Sequence, residues 1–107
     1  MVMISMLYPN KNGSKFEPEY YINTHMPMSI ERLSIGAGFK GVSVVLGIGG
    51  AMPGSEPAYV AMCQYLLESI EDFLAAFNTH AAVLQADMVN YTDIEPIIQI
   101  GAVEIMR

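Results

Sequence analysis

The chain has 107 residues, 52% of them apolar and only 15% charged, with a net charge of −6. That sign argues against nucleic acid and anionic membrane surfaces as partners, and no apolar run approaches the ~20 residues that span a bilayer. The length sets one domain over residues 1–107 with a modest core.

Charged residues fall below the usual ~25%. This implies that apolar surface is covered by something besides the chain itself, and a partner subunit is the simplest cover. No charged stretch leads into an apolar one at the start, so a secretory signal is not expected. Cys63 is the only cysteine. It allows no intrachain disulfide and fits a reducing cytoplasm. Nine methionines and no tryptophan favour an adaptable interior.

Val2 to Tyr8 reads as a strand stopped by Pro9 and Gly13. Val2, Ile4, Met6 and Tyr8 point to one face, and Met3, Ser5 and Leu7 to the other. A helix follows. Pro18 suits its first position, and Ser14 with Glu17 offers an alternative capping box one turn earlier. Pro27 removes the bond to the Asn23 carbonyl and predicts a bend. The helix then runs through Leu33 to a stop at Gly36 or Gly38.

Gly41 to Ile48 is the second strand, followed by a Gly- and Pro-rich loop to Pro57. Tyr59 to Leu67 is the third, apolar on both faces apart from Gln64. Ser69 caps a second helix with Asp72 reaching back. Its face is Ile70, Phe73, Leu74, Phe77, Ala81, Leu84 and Met88, at helical spacing. A turn spans residues 90–93, and Ile97 to Ile105 forms the last strand, with Pro96 at its start.

The order β-α-β-β-α-β predicts an α+β, ferredoxin-like sandwich: an antiparallel four-stranded sheet with two helices on one face. The strands carry apolar residues on both faces, unlike a sheet wet on one side. A second copy packed sheet to sheet about a two-fold axis resolves this and predicts a dimeric α+β barrel.

The stretch from Phe16 to Met28, which holds Pro18, Tyr20, Tyr21, His25 and Pro27, resembles the signature helix of EthD-type proteins in the dimeric α+β barrel superfamily. Phe73 to Ala81 resembles the second helix of that family, and Asn90 to Ile100 its C-terminal turn and strand. The resemblance runs through the whole chain in order. It implies a homodimer through the sheet face, a pocket between each sheet and its helices, and no cofactor. The family is named for a gene cluster of ethyl tert-butyl ether degradation. Superfamily relatives include polyketide cyclases, muconolactone isomerases, decarboxylase-like proteins and monooxygenases that need no cofactor. One departure is the lack of a basic cluster near Met26-Pro27-Met28 beyond Arg32, so no partner for a carboxylated substrate is evident.

His25 is the candidate for acid–base work, since histidine is the side chain that changes charge near neutral pH. The opposing reading is a half-buried histidine bonded to the backbone that Pro27 frees. Tyr21 lies four residues before it on the same helical face, and Tyr20 points about 100° away. Candidate substrate-binding residues are Tyr20, Tyr21, Phe77, His80 and Tyr91. Each aromatic can equally be core, and His80 can be a satisfied helix-edge histidine.

Asp93 and Glu95 fall near the pocket mouth or in a solvated turn. His25 and His80 lack the ligand spacing of a metal site. Gly47-Ile48-Gly49-Gly50 precedes no helix, so it is not a phosphate loop. Cys63 reads as inert packing.

The leading reading is a cofactor-free lyase, isomerase or cyclase acting on a small aromatic or polyketide-like compound. The alternatives are a non-catalytic carrier of a hydrophobic metabolite and an accessory subunit.

Overall fold

In the computed structural model, which describes residues 1–107, four strands form one antiparallel sheet. They are β1 (Val2–Pro9), β2 (Phe39–Leu46), β3 (Tyr59–Leu67) and β4 (Ile97–Ala102), in the spatial order β2-β3-β1-β4. The expected alternation holds. Ile4 faces Tyr65, Met6 faces Cys63, and Tyr8 faces Ala61 across the two central strands. These side chains turn toward the helices, and all but Met6 are fully buried. The fold is the α+β, two-layer arrangement read from the strand and helix order.

Helix α1 has three consecutive parts: an α turn at Pro18–Tyr20, a π turn at Tyr21–His25 and an α segment at Met26–Leu33. Pro18 does start it, after an extended Glu17 that makes no side-chain cap. The alternative box is not formed, because the Ser14 amide bonds the Lys11 carbonyl instead. The bend expected of Pro27 takes the form of the π turn. Proline has no N–H and its ring crowds the carbonyl four residues back. The helix widens just before it, and the Met26 amide reaches the Tyr21 carbonyl.

α1 ends at Leu33, earlier than expected. Gly38 takes a left-handed turn, with φ +82°, and its carbonyl accepts the Glu68 amide at 2.8 Å. This ties the following residues to β3, so β2 starts at Phe39 rather than Gly41. It also stops at Leu46, leaving Ile48 fully exposed. A side chain at Gly47 would run into the Tyr59 carbonyl and the Pro57 ring, so the backbones pass too closely there for any other residue.

Helix α2 spans Ile70–Asp87. The Ser69 hydroxyl accepts the Asp72 amide at 3.1 Å and donates to the Asp72 carboxylate at 3.0 Å. The apolar stripe is narrower than its spacing suggests. Phe73 and Phe77 stack at 5.3 Å over the sheet, while Ile70 and Leu74 on either side are exposed. β4 ends at Ala102, not Ile105, because β1 has run out: Val2 is opposite Ala102, and the Val103 amide bonds the Met1 carbonyl.

The back of the sheet has no cover. The molecule is a slab 19 Å thick, one sheet and one helical layer. Across this back runs an apolar rung of Val45, Met62, Leu7 and Ile97, beside a polar rung of Ser43, Gln64, Ser5 and Gln99.

Candidate functional site: a histidine–carboxylate pair on an apolar cavity

The site begins with the π turn. It brings His25 to the inner side of α1, 6% exposed, with its ring stacked on Tyr21 at 5.9 Å and 14° and against Tyr91 at 4.5 Å. The Nδ1 atom of His25 lies 2.9 Å from Oδ2 of Asp87, the last residue of α2. The other Asp87 oxygen accepts the Tyr20 hydroxyl at 2.7 Å and the Asn90 amide at 3.1 Å. Partial burial raises the pKa of this carboxyl, but the hydrogen bonds from His25, Tyr20 and Asn90 together outweigh it. Asp87 therefore stays ionised below the ordinary range. An ionised carboxylate only accepts, so Nδ1 carries the proton and the lone pair of neutral His25 is on Nε2.

A cavity of about 330 Å³ opens beside His25. Met6 and Ile98 of the sheet, Leu33 of α1, and Phe77, Leu84 and Met88 of the second helix and the turn after it form its apolar walls. The polar groups on the wall are few: His25, Tyr8, Tyr91, Ser29, Gln85 and Glu95. No lysine or arginine reaches it, and Glu95 is the one carboxylate on its lining.

Two hydroxyl pairs stand out. The Tyr8 and Tyr91 phenols are 2.8 Å apart, and Ser29 is hydrogen-bonded to Tyr65. Burial pushes the pKa of Tyr8, Tyr65 and Tyr91 up, so all three are protonated donors at neutral pH. Ser29 lies four residues after His25 and shares its helical face.

The turn that carries Tyr91 is pinned to the segment before α1. The Glu17 amide donates to the Tyr91 carbonyl at 2.8 Å, and the Thr92 hydroxyl to the Lys15 carbonyl at 2.7 Å. Asp93 takes part in this pinning, accepting the Lys15 amide at 2.7 Å, while Glu95 stands at the cavity.

His25, Phe77 and Tyr91 among the expected residues thus meet on one wall. Tyr20 sits behind Asp87 instead. Tyr21 packs under the imidazole, its hydroxyl buried without a hydrogen-bond partner and its pKa strongly raised by burial. His80 faces a different groove, with Arg32, Asp72 and Thr79. On α2 it is turned about 60° from Phe77, toward the end of α1. Cys63 is buried beneath the tyrosines, its thiol pushed up to about 11 by burial.

Asp87, Tyr8, Ser29 and Tyr65 escaped the sequence reading. Two of them left a signal. A carboxylate at a helix C-terminus opposes the helix dipole and calls for a cationic or donor partner. A hydroxyl four residues after a helical histidine shares its face.

Comparison with known proteins agrees with this architecture. The model of the EthD domain matches residues 18–95. The chain is similar to the crystal structure of an EthD-like protein from Ralstonia eutropha, with 39% identity over 99% of this chain and 94% of that one, at a TM-score of 0.91. An ethyl tert-butyl ether d (EthD) family protein from Bacillus halodurans shares 22% identity over 96% and 98% of the two chains, at 0.72. HapK from Hahella chejuensis shares the fold at 11% identity over 100% and 97%, at 0.54. No curated protein matches the sequence. The chain belongs to the EthD domain family.

Proposed function

We propose that the protein is an enzyme that moves a proton on a small, uncharged, largely apolar molecule, without a cofactor. The observation that carries this reading is the pairing of His25 Nδ1 with Asp87 at 2.9 Å on the wall of an apolar cavity. The carboxylate holds the ring's orientation and tautomer and stabilises the imidazolium that forms when Nε2 takes a proton. Phenols beside it supply hydrogen bonds to a substrate oxygen. Met and Phe side chains exclude water, which strengthens each of these interactions. Isomerase, lyase and cyclase chemistry all begin with such a transfer. A carrier of a hydrophobic metabolite is the second reading, favoured by the few polar groups on the wall. The enzyme reading is supported over it by the partner of His25, a carboxylate rather than a backbone carbonyl.

The working unit is a homodimer joined through the backs of two sheets. The chain exposes 6699 Å², against about 5,900 Å² for a folded monomer of this mass. The excess is comparable to one side of a standard interface, about 800 Å². Val45 and Ile97, which are among the exposed apolar residues, lie on the two edge strands and face that back.

The test is a panel of phenols, lactones and cyclic ketones, read by thermal stabilisation and then by turnover of whichever compounds bind. The expected result is that His25→Gln keeps binding within a few-fold and loses about 10²–10⁴-fold in turnover. Undiminished turnover in that variant would overturn the acid–base role.

A further inference from the structure

We infer that the substrate is a neutral 1,3-dicarbonyl compound or its enol, gripped at both oxygens with the carbon between them facing His25. This rests on the proton-transfer reading above and names the class of molecule it acts on. The observation is that two separate hydroxyl pairs, Tyr8 with Tyr91 and Ser29 with Tyr65, each reach the cavity lining that holds His25.

The first pair is Tyr8 with Tyr91, whose oxygens are 2.8 Å apart. Both residues line the cavity, and the Tyr91 ring lies against His25 at 4.5 Å. Two phenols share one hydrogen bond; Tyr91 is 0% exposed, so with Tyr91 donating to Tyr8 the Tyr8 O–H remains for a ligand. The second pair is Ser29 with Tyr65. Ser29 lines the cavity and Tyr65 does not. With Tyr65 donating to the Ser29 oxygen, the Ser29 proton is free for the ligand. His25 and Ser29 are one helical turn apart, about 5–6 Å between β-carbons, and Tyr91 flanks the imidazole from the C-terminal turn. A ligand with one oxygen recognised at one end would leave the other pair buried and unmatched, an arrangement that costs affinity.

Charge narrows the class further. With no cation on the wall and Glu95 the one carboxylate there, an anionic ligand gains nothing and is repelled, whereas a neutral dicarbonyl fits. The volume of about 330 Å³ is at the lower end of the range for small-molecule sites, about 300–1,000 Å³, which suits one or two rings.

In the reaction, Nε2 of His25 takes the proton from the central carbon. The C–H electron pair delocalises onto the two carbonyl oxygens, giving an enolate that carries the charge lost from carbon and leaving an imidazolium beside Asp87. The Tyr8–Tyr91 pair and Ser29 donate to the two enolate oxygens. The imidazolium returns the proton to carbon or to an enolate oxygen, so no oxidant, reductant or second reactant enters.

The test compares 1-phenylbutane-1,3-dione with its one-carbonyl counterpart, 1-phenylbutan-1-one, by calorimetric titration of wild type, Ser29→Ala and the double variant Tyr8→Phe/Tyr91→Phe. In parallel, exchange of the central C–H of the dione with D₂O is followed by NMR. The wild type is expected to bind the dione about ten-fold more tightly than the monoketone. Ser29→Ala should reduce that preference about three- to ten-fold. The double phenylalanine variant should do the same at the other oxygen. Should that variant not fold, Ser29→Ala alone reads the second pole.

Equal affinity for the two ketones in the wild type, or loss of affinity for both in equal measure in Ser29→Ala, would overturn the two-oxygen site. Exchange is expected to run well above the protein-free rate in the wild type and to fall to that rate in His25→Gln. A preserved dione preference with exchange no faster than the protein-free rate supports the two-oxygen site and overturns the proton-transfer reading on its own.

Discussion

Asp87 and His25, 62 positions apart in the chain, meet at 2.9 Å at the junction of α1 and α2. Neither is placed there by local preference. Asp87 ends its helix at the pole that repels a carboxylate, and His25 is swung inward by a π turn. The three donors on Asp87 offset the dipole and partial burial. Replacing it by asparagine keeps the shape but allows an amide N–H to face Nδ1, which favours the opposite imidazole tautomer. Asp87→Asn is expected to lose a large part of the about 10²–10⁴-fold that general acid–base catalysis supplies. Its affinity for the ligand should change only a few-fold. Steady-state kinetics on the dione or on any substrate found by the panel separates the two effects.

The same carboxylate contributes to stability in acid. Its pKa is lower folded than unfolded, so its contribution is fully present above the unfolded value of about 3.9 and is lost as pH falls through the folded one. Tyr20→Phe removes the 2.7 Å donor and raises the folded value. Thermal melts from pH 7 down to 2 should show its acid limb starting at higher pH than in the wild type. Superimposable limbs would mean that the Tyr20 bond contributes nothing to Asp87.

Alkaline pH acts in the opposite sense on the phenols. Tyr8, Tyr21, Tyr65 and Tyr91 all have raised values from burial. Their contribution is present below the ordinary value of about 10 and is lost as pH rises above it, because the unfolded state releases its protons first. Phenolate absorbance near 295 nm should therefore rise together with loss of circular dichroism above about pH 10. Smooth titration of Tyr8, Tyr21, Tyr65 and Tyr91 in a still-folded chain would contradict their burial.

The proposed dimer gives a separate prediction. Val45 and Ile97 occupy the ends of one apolar rung on the uncovered back of the sheet, 48% and 49% exposed. Lysine at both positions leaves the helix-side core untouched. Light scattering at micromolar concentration should give about twice the 11.7 kDa chain mass for the wild type and the single mass for Val45→Lys/Ile97→Lys. A monomeric wild type would remove the sheet-to-sheet interface.

Strand alternation, the Ser69 cap and the turn signals made the architecture legible, because each rests on local chemistry. Ends of elements were less so. β4 stops where β1 has no residue left to pair, and β2 begins where Gly38 bonds Glu68; both are properties of the partner strand. For the site, His25, Phe77 and Tyr91 were visible as residue types near a proline-perturbed helix. Asp87 was not, since its role depends on the packing of two helices, and Ser29 enters the site only through a cavity that lies against the helical face it shares with His25. His80 shows the opposite error, where about 60° of helical rotation separates a wall from an outer groove.

The claim that His25 presents a bare Nε2 to the cavity is open to direct measurement by long-range ¹H–¹⁵N correlation of the two histidines. Neutral His25 is expected as the Nδ1–H tautomer, with a pyridine-like Nε2, and this pattern should be disturbed in Asp87→Asn. An Nε2–H tautomer in the wild type, with Nδ1 unprotonated beside Asp87, would contradict it.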